Sequence, residues 1–142
     1  MAMALPDPKT VIQTLDALEA EALALRIKCW HLIVWPKSPV RPLAARFSEV
    51  HPLARSLMDA YRQRRADLVA AAQTMGQHQV LPGQLGILAD AEMSLSSRVE
   101  RVRFLITSRE GEEHAKRSVL LGVLGAILGV LSLILSAVSL RK

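Results

Sequence analysis

Four histidines, His31, His51, His78 and His114, and one cysteine, Cys29, are the side chains of this 142-residue chain best suited to metal ligation or proton transfer. No two histidines stand at ligand spacing, and the chain has neither an H-E-x-x-H run nor a glycine-rich phosphate loop. A single cysteine makes neither an internal disulfide nor a cysteine metal cage, which suits a reducing cytoplasm. No metal and no cofactor are expected. What does recur is an arginine five positions before a histidine, at Arg26/His31, Arg46/His51 and Arg109/His114.

The third of these, Arg109-Glu-Gly-Glu-Glu-His114, has a polar residue after the arginine. It resembles the Arg-x4-His motif of the helical nuclease family named for higher eukaryotes and prokaryotes nucleotide-binding domains. The resemblance covers six residues and implies RNA cleavage by Arg109 and His114 paired across a dimer. A membrane-tethered RNase is therefore one reading, although RNA would have to reach a motif lying against the membrane.

The elements that would hold these residues are helices. Hydrophobic residues make up 51% of the chain and aromatics 4%, so its apolar content is chiefly Leu, Ala and Val, a helix-forming palette. The longest uncharged run, Ser118 to Leu140, spans a hydrocarbon core of roughly 30 Å at about 1.5 Å per residue. It is expected to be a transmembrane helix. The 117 residues before it suffice for one small domain but hardly for a two-domain site around a large cofactor. Six basic residues, Arg98, Arg101, Arg103, Arg109, Lys116 and Arg117, precede the run, and only Arg141 and Lys142 follow it. That asymmetry predicts a cytoplasmic (inner) membrane location with the N-terminus inside and the C-terminus outside. Residues 1–9 hold two prolines and no apolar core, so they read as a leader and not as a secretory signal.

Within the span, Ser118, Gly122, Gly125, Gly129, Ser132, Ser136 and Ser139 continue a stripe begun at Ala115, in alternating steps of three and four. Small side chains let helix backbones approach, and serine hydroxyls bond across the contact. Lipid tails gain nothing from such a stripe, so self-association through the membrane helix is expected. A large enough ring would turn the same stripe toward a lumen that is narrow and mildly polar.

Before the span the chain reads as a bundle over 10–106. Helix one runs from Pro8 to about Ile33 with Val11, Leu15, Leu18, Ala22, Leu25, Cys29 and Leu32 on its core side. Three prolines make 36–42 an extended linker. A short helix over Leu43–Val50 is followed by one from Pro52 to about Met75, burying Leu53, Leu57, Tyr61, Leu68 and Met75. After a loop at 76–83, the last helix buries Leu88, Leu95, Val99, Val102 and Ile106. Residues 107–117 form a juxtamembrane segment in which Thr107–Glu110 and Gly111 predict a kink or a fresh start. The expected fold is all-α: a small three- or four-helix cytoplasmic bundle, a helical stalk and one C-terminal transmembrane helix, with 141–142 as a far-side tail.

Charge suggests partners. Of the net +5, the stretch 26–65 alone carries nine basic residues against Glu49 and Asp59. Trp30, Trp35 and Lys37, with Arg62, Arg64 and Arg65, are the candidates for lipid or partner contact, and anionic lipid is favoured because the domain is tethered beside a negative leaflet. Nucleic acid is the least favoured partner. The leading expectation is a non-enzymatic, homo-oligomeric scaffold or accessory subunit that recruits a partner through its basic face. The alternative is a pore-forming or membrane-disrupting effector built on the same stripe.

Overall fold

In the computed structural model, which describes residues 6–28, 37–75 and 81–139, the chain is all-helical. The helices are α1 (Pro8–Ala24), α2 (Arg41–Met75) and α3 (Leu81–Ser139). Asp7 starts α1: its carboxylate accepts from the Lys9 N–H (3.3 Å) and the Thr10 hydroxyl (2.8 Å), and Pro8 supplies a preset φ at the first turn. Ser38 starts α2, its hydroxyl accepting from the N–H groups of Val40 (3.3 Å) and Arg41 (3.2 Å).

Ion pairs fix the directions of the helices. Arg98 meets Asp16 and Arg101 meets Glu19, so α1 runs parallel to α3. Arg62 and Arg65 both reach Glu92, Arg103 reaches His51, and Arg46 reaches Glu21, so α2 runs antiparallel to both. The core lies between the three: Val11, Leu15, Leu18 and Ala22 from α1, Leu43, Ala54 and Leu57 from α2, and Leu95, Val99, Val102 and Ile106 from α3, closed by Ile27 and Val40. Beyond the start of α1, α2 and α3 continue as a two-helix hairpin.

Three features differ from the sequence expectations. Helix one ends at Ala24, with Leu25 already extended (φ −65°, ψ 115°), so the apolar spacing through Leu32 overran the helix. The helices expected on either side of Pro52 are one helix. An interior proline costs about 3 kcal/mol through its lost hydrogen bond. Here the packed face runs through it in steps of four and three, Leu43, Phe47, Val50, Ala54, Leu57 and Tyr61, while Pro52 itself is exposed. Leu53, expected in the core, is 46% exposed. Finally, no interruption occurs at Gly111, and α3 runs as a single helix of 59 residues from the bundle to Ser139. A mid-helix glycine costs about 1 kcal/mol. The pairs Arg109–Glu112, Glu112–Lys116 and Glu113–Arg117 bridge that stretch of helix. Among the described residues the bundle therefore has three helices, part of the 36–42 linker and of the 76–83 loop is helical, and 107–117 is a continuous stalk.

Candidate functional site

Past residue 117 the character of α3 changes. Eleven large apolar side chains between Val119 and Leu135 are 46–72% exposed, and the helix is long and apolar enough to cross a membrane, with none of its apolar window buried. At about 2 kcal/mol for a fully exposed side chain, leaving them in water would cost on the order of 15 kcal/mol. That is comparable to the whole stability of a small domain. Something apolar must cover this surface, and nothing in the described chain does.

Gly122, Gly125 and Gly129 lie on this segment, and a methyl group added to any of them would meet no atom within 4 Å. They serve no packing within the chain. Ser118, Ser132, Ser136 and Ser139 are likewise exposed. The stripe has a definite phase relative to the bundle. Ile106 and Ala115 are nine positions apart, as are Glu113 and Gly122, which on a helix of 3.6 residues per turn places them about 180° apart. The small-residue face therefore points away from the face that packs on α1 and α2. Gly111 and Ser108, both exposed, extend that outward face up the stalk.

On the inward face the core stripe Leu95, Val99, Val102, Ile106 continues in the same steps as Arg109, Glu113 and Lys116. These form a charged collar directly above Ser118. Arg109 donates to the carbonyls of Ala22 (3.1 Å) and Leu23 (3.3 Å), and Lys116 to that of Ile27 (2.5 Å). They satisfy carbonyls left open where α1 ends. Glu113, 6% exposed, accepts from the Ser38 hydroxyl (2.5 Å) and forms an ion pair with Arg117 (2.7 Å). Glu112 is held below the usual carboxylate range by hydrogen bonds from Lys116 and Arg109. A cavity of about 550 Å³ beside the collar is lined by Lys37, Ser38, Arg41, Pro42, Ala45 and Arg117.

The other residues singled out from the sequence scatter. Arg62 and Arg65 share Glu92, at 2.5 and 3.2 Å. Glu92 lies 26 positions before Ser118, about 39 Å along a continuous helix. Both arginines thus lie at the end of the bundle opposite Ser118, because α2 turns back from the collar and carries them away from it. Arg64 is exposed at the same end, beside a groove lined by Asp7, Leu57, Tyr61 and Leu88. Lys37 stands at the collar. Trp30 and Trp35, with Cys29, His31 and His78, lie outside the described residues, as do Leu140 and the tail 141–142.

The structure does not bring the nuclease pair together within one chain. Arg109 and His114 lie five positions apart on an unbroken helix, about 140° around it. The arginine is turned inward onto the α1 carbonyls while the histidine is exposed. Arg46 pairs with Glu21 (2.6 Å), and His51 takes a hydrogen bond from Arg103 (3.1 Å). Among the described residues no cluster of three or more His, Cys, Asp or Glu side chains could hold a metal. The sequence reading missed Ser38 and Glu113. The signal was the heptad step from Ile106 to Glu113, a charged residue on a core line. No known protein family, curated protein or solved structure matches this chain.

Proposed function

We propose that the chain is a non-enzymatic, single-span membrane scaffold whose copies associate through the outward Gly/Ser face of α3, with the three-helix bundle held on the cytoplasmic side to recruit a partner. One observation carries this reading: along one continuous helix the three glycines of the small-residue face lie about 120–180° around from the core line through Glu113. Anchors can therefore pack face to face without their own bundles standing between them. The positive flank before Ser118 supports the inward orientation of the bundle and a cytoplasmic (inner) membrane. Arg109, engaged by the α1 carbonyls, acts in this reading as a structural cap and not as half of a nuclease site.

The test is the mass of the full chain in lipid nanodiscs, measured by native mass spectrometry, for wild type and for Gly125→Leu with Gly129→Leu. A discrete wild-type oligomer that dissociates in the double variant is the expected result. Bundle melting should not move, since a Cβ at either glycine meets no atom within 4 Å. Monomers in both samples would refute self-association. Liposome leakage by the wild type that disappears in the variant would replace the scaffold with the pore-forming alternative, in which the stripe lines a lumen.

A further inference from the structure

The collar cavity joins excess positive charge to a location beside the start of the span. Of the sixteen described Lys and Arg side chains, nine are ion-paired: Arg46, Arg62, Arg65, Arg98, Arg101, Arg103, Arg109, Lys116 and Arg117. Of the seven that make no ion pair among the described residues, four (Arg26, Lys28, Lys37 and Arg41) lie on the two chain segments that meet the collar. Lys37 and Arg41 are exposed and line the cavity together with Arg117. Glu113, which bonds two of the cavity's lining residues, has one oxygen on Ser38 and the other on Arg117. Three cations against one carboxylate leave a net charge of about +2 around the cavity.

We propose that this cavity binds the phosphate-bearing headgroup of an anionic phospholipid, Lys37 and Arg41 meeting the phosphate and Arg117, held by Glu113, forming the floor. The inference rests on reading α3 as a membrane span. Arg117 immediately precedes Ser118, so once the apolar segment is inserted the cavity sits at headgroup depth. Its volume of about 550 Å³ admits a glycerophosphate head, and Pro42 and Ala45 give it an apolar wall suited to the glycerol end. A soluble phosphate would find the same cations but nothing for that wall. Arg62 and Arg65, by contrast, are matched by the two carboxylates of Glu92 and Asp59, far along the bundle from Ser118.

The experiment begins with alkaline carbonate extraction of membranes containing the full chain. Full-length protein in detergent is then loaded with equimolar phosphatidylglycerol and phosphatidylcholine, and retained lipid is counted by native mass spectrometry. Wild type is compared with Lys37→Gln/Arg41→Gln and with Arg64→Gln, an exposed cation at the opposite end. A cation near an anionic surface contributes about a fivefold gain in binding, so the double variant should lose roughly 30-fold of the preference for phosphatidylglycerol. Arg64→Gln should retain it. A carbonate-resistant wild type with no such preference, or one that the double variant keeps, overturns the site alone. Displacement of phosphatidylglycerol by an equal concentration of inorganic phosphate would show a soluble-anion site and overturn the lipid assignment. Release of the chain by carbonate would instead overturn the span and the site with it.

Discussion

Glu113 ties the start of α2 to α3 immediately above the apolar segment. Glu113 is 6% exposed, and its carboxylate takes a hydrogen bond from Ser38 (2.5 Å) and an ion pair from Arg117 (2.7 Å). Hydrogen bonds to a charged group contribute about 1.5–3 kcal/mol, and removing one partner of a fully buried ion pair costs about 3–5 kcal/mol. Arg117 is 38% exposed, so its abandoned guanidinium can turn to water and the upper figure does not apply. Glu113→Ala should therefore cost about 2–3 kcal/mol. Glu113→Gln, which keeps an acceptor of the same shape without the charge, should cost about 1 kcal/mol. Ser38→Ala loses the same contact and the cap on Arg41, about 1–2 kcal/mol, and the double variant should fall short of the sum by about 1 kcal/mol, the coupling of a contacting pair. Urea unfolding of the detergent-solubilised full chain, followed by far-ultraviolet circular dichroism, measures all four variants. A loss under about 0.5 kcal/mol for Glu113→Ala, or strict additivity with Ser38→Ala, would refute the collar as a structural joint.

Two further outcomes test the bundle itself. Leu18 is fully buried and Leu53 is 46% exposed, so Leu18→Ala should cost about 3 kcal/mol and Leu53→Ala under about 1 kcal/mol in the same urea assay; equal losses would contradict the packed face of α2. Burial, followed by the nearby charges of Arg103 and Arg55, lowers the pKa of His51 below 6.5. Protonation thus favours the unfolded chain, and the contribution of neutral His51 is complete above pH 6.5 and lost as pH falls through its folded value. Wild type should lose more stability between pH 7 and 5 than His51→Gln does, and parallel pH profiles would sink this account.

The parts of the fold that were legible from sequence are those where an apolar period runs undisturbed. Val11, Leu15, Leu18 and Ala22 of α1, and Leu95, Val99, Val102 and Ile106 of α3, are buried as their spacing indicates. Two boundaries were illegible because distant residues decide them. The apolar steps through Leu25, Cys29 and Leu32 suggested a longer first helix, but the chain leaves the helix at Leu25, beside donors supplied by Arg109 and Lys116 more than eighty positions away. Pro52 suggested a break because its cost is local, while the packing that offsets it is spread over Phe47, Val50, Ala54 and Leu57. Taking Leu53 as a core position also hid Ala54, which is fully buried on the core line. For the candidate site, the small-residue stripe was visible as a pattern. Its relation to the bundle was not, since phase has meaning only once the helix is known to continue through Gly111.

That continuity explains why the collar is charged. Along α3 the inward face first meets helices, whose backbone groups are satisfied, and there the residues at core spacing are Leu, Val and Ile. At the collar the same face meets the end of α1 and the start of α2, where carbonyls and N–H groups lack helical partners. Apolar side chains at Arg109, Glu113 and Lys116 would bury those groups unsatisfied, at a cost of about 1–3 kcal/mol each. Two cations supply donors to the carbonyls of Ala22, Leu23 and Ile27, and one carboxylate between them accepts from Ser38. From Ser118, two positions further, no described segment packs on the helix and large apolar residues appear on every side. The change from core to collar to apolar segment thus follows what each turn of one helix has to face, and the glycines fall where nothing among the described residues packs against them.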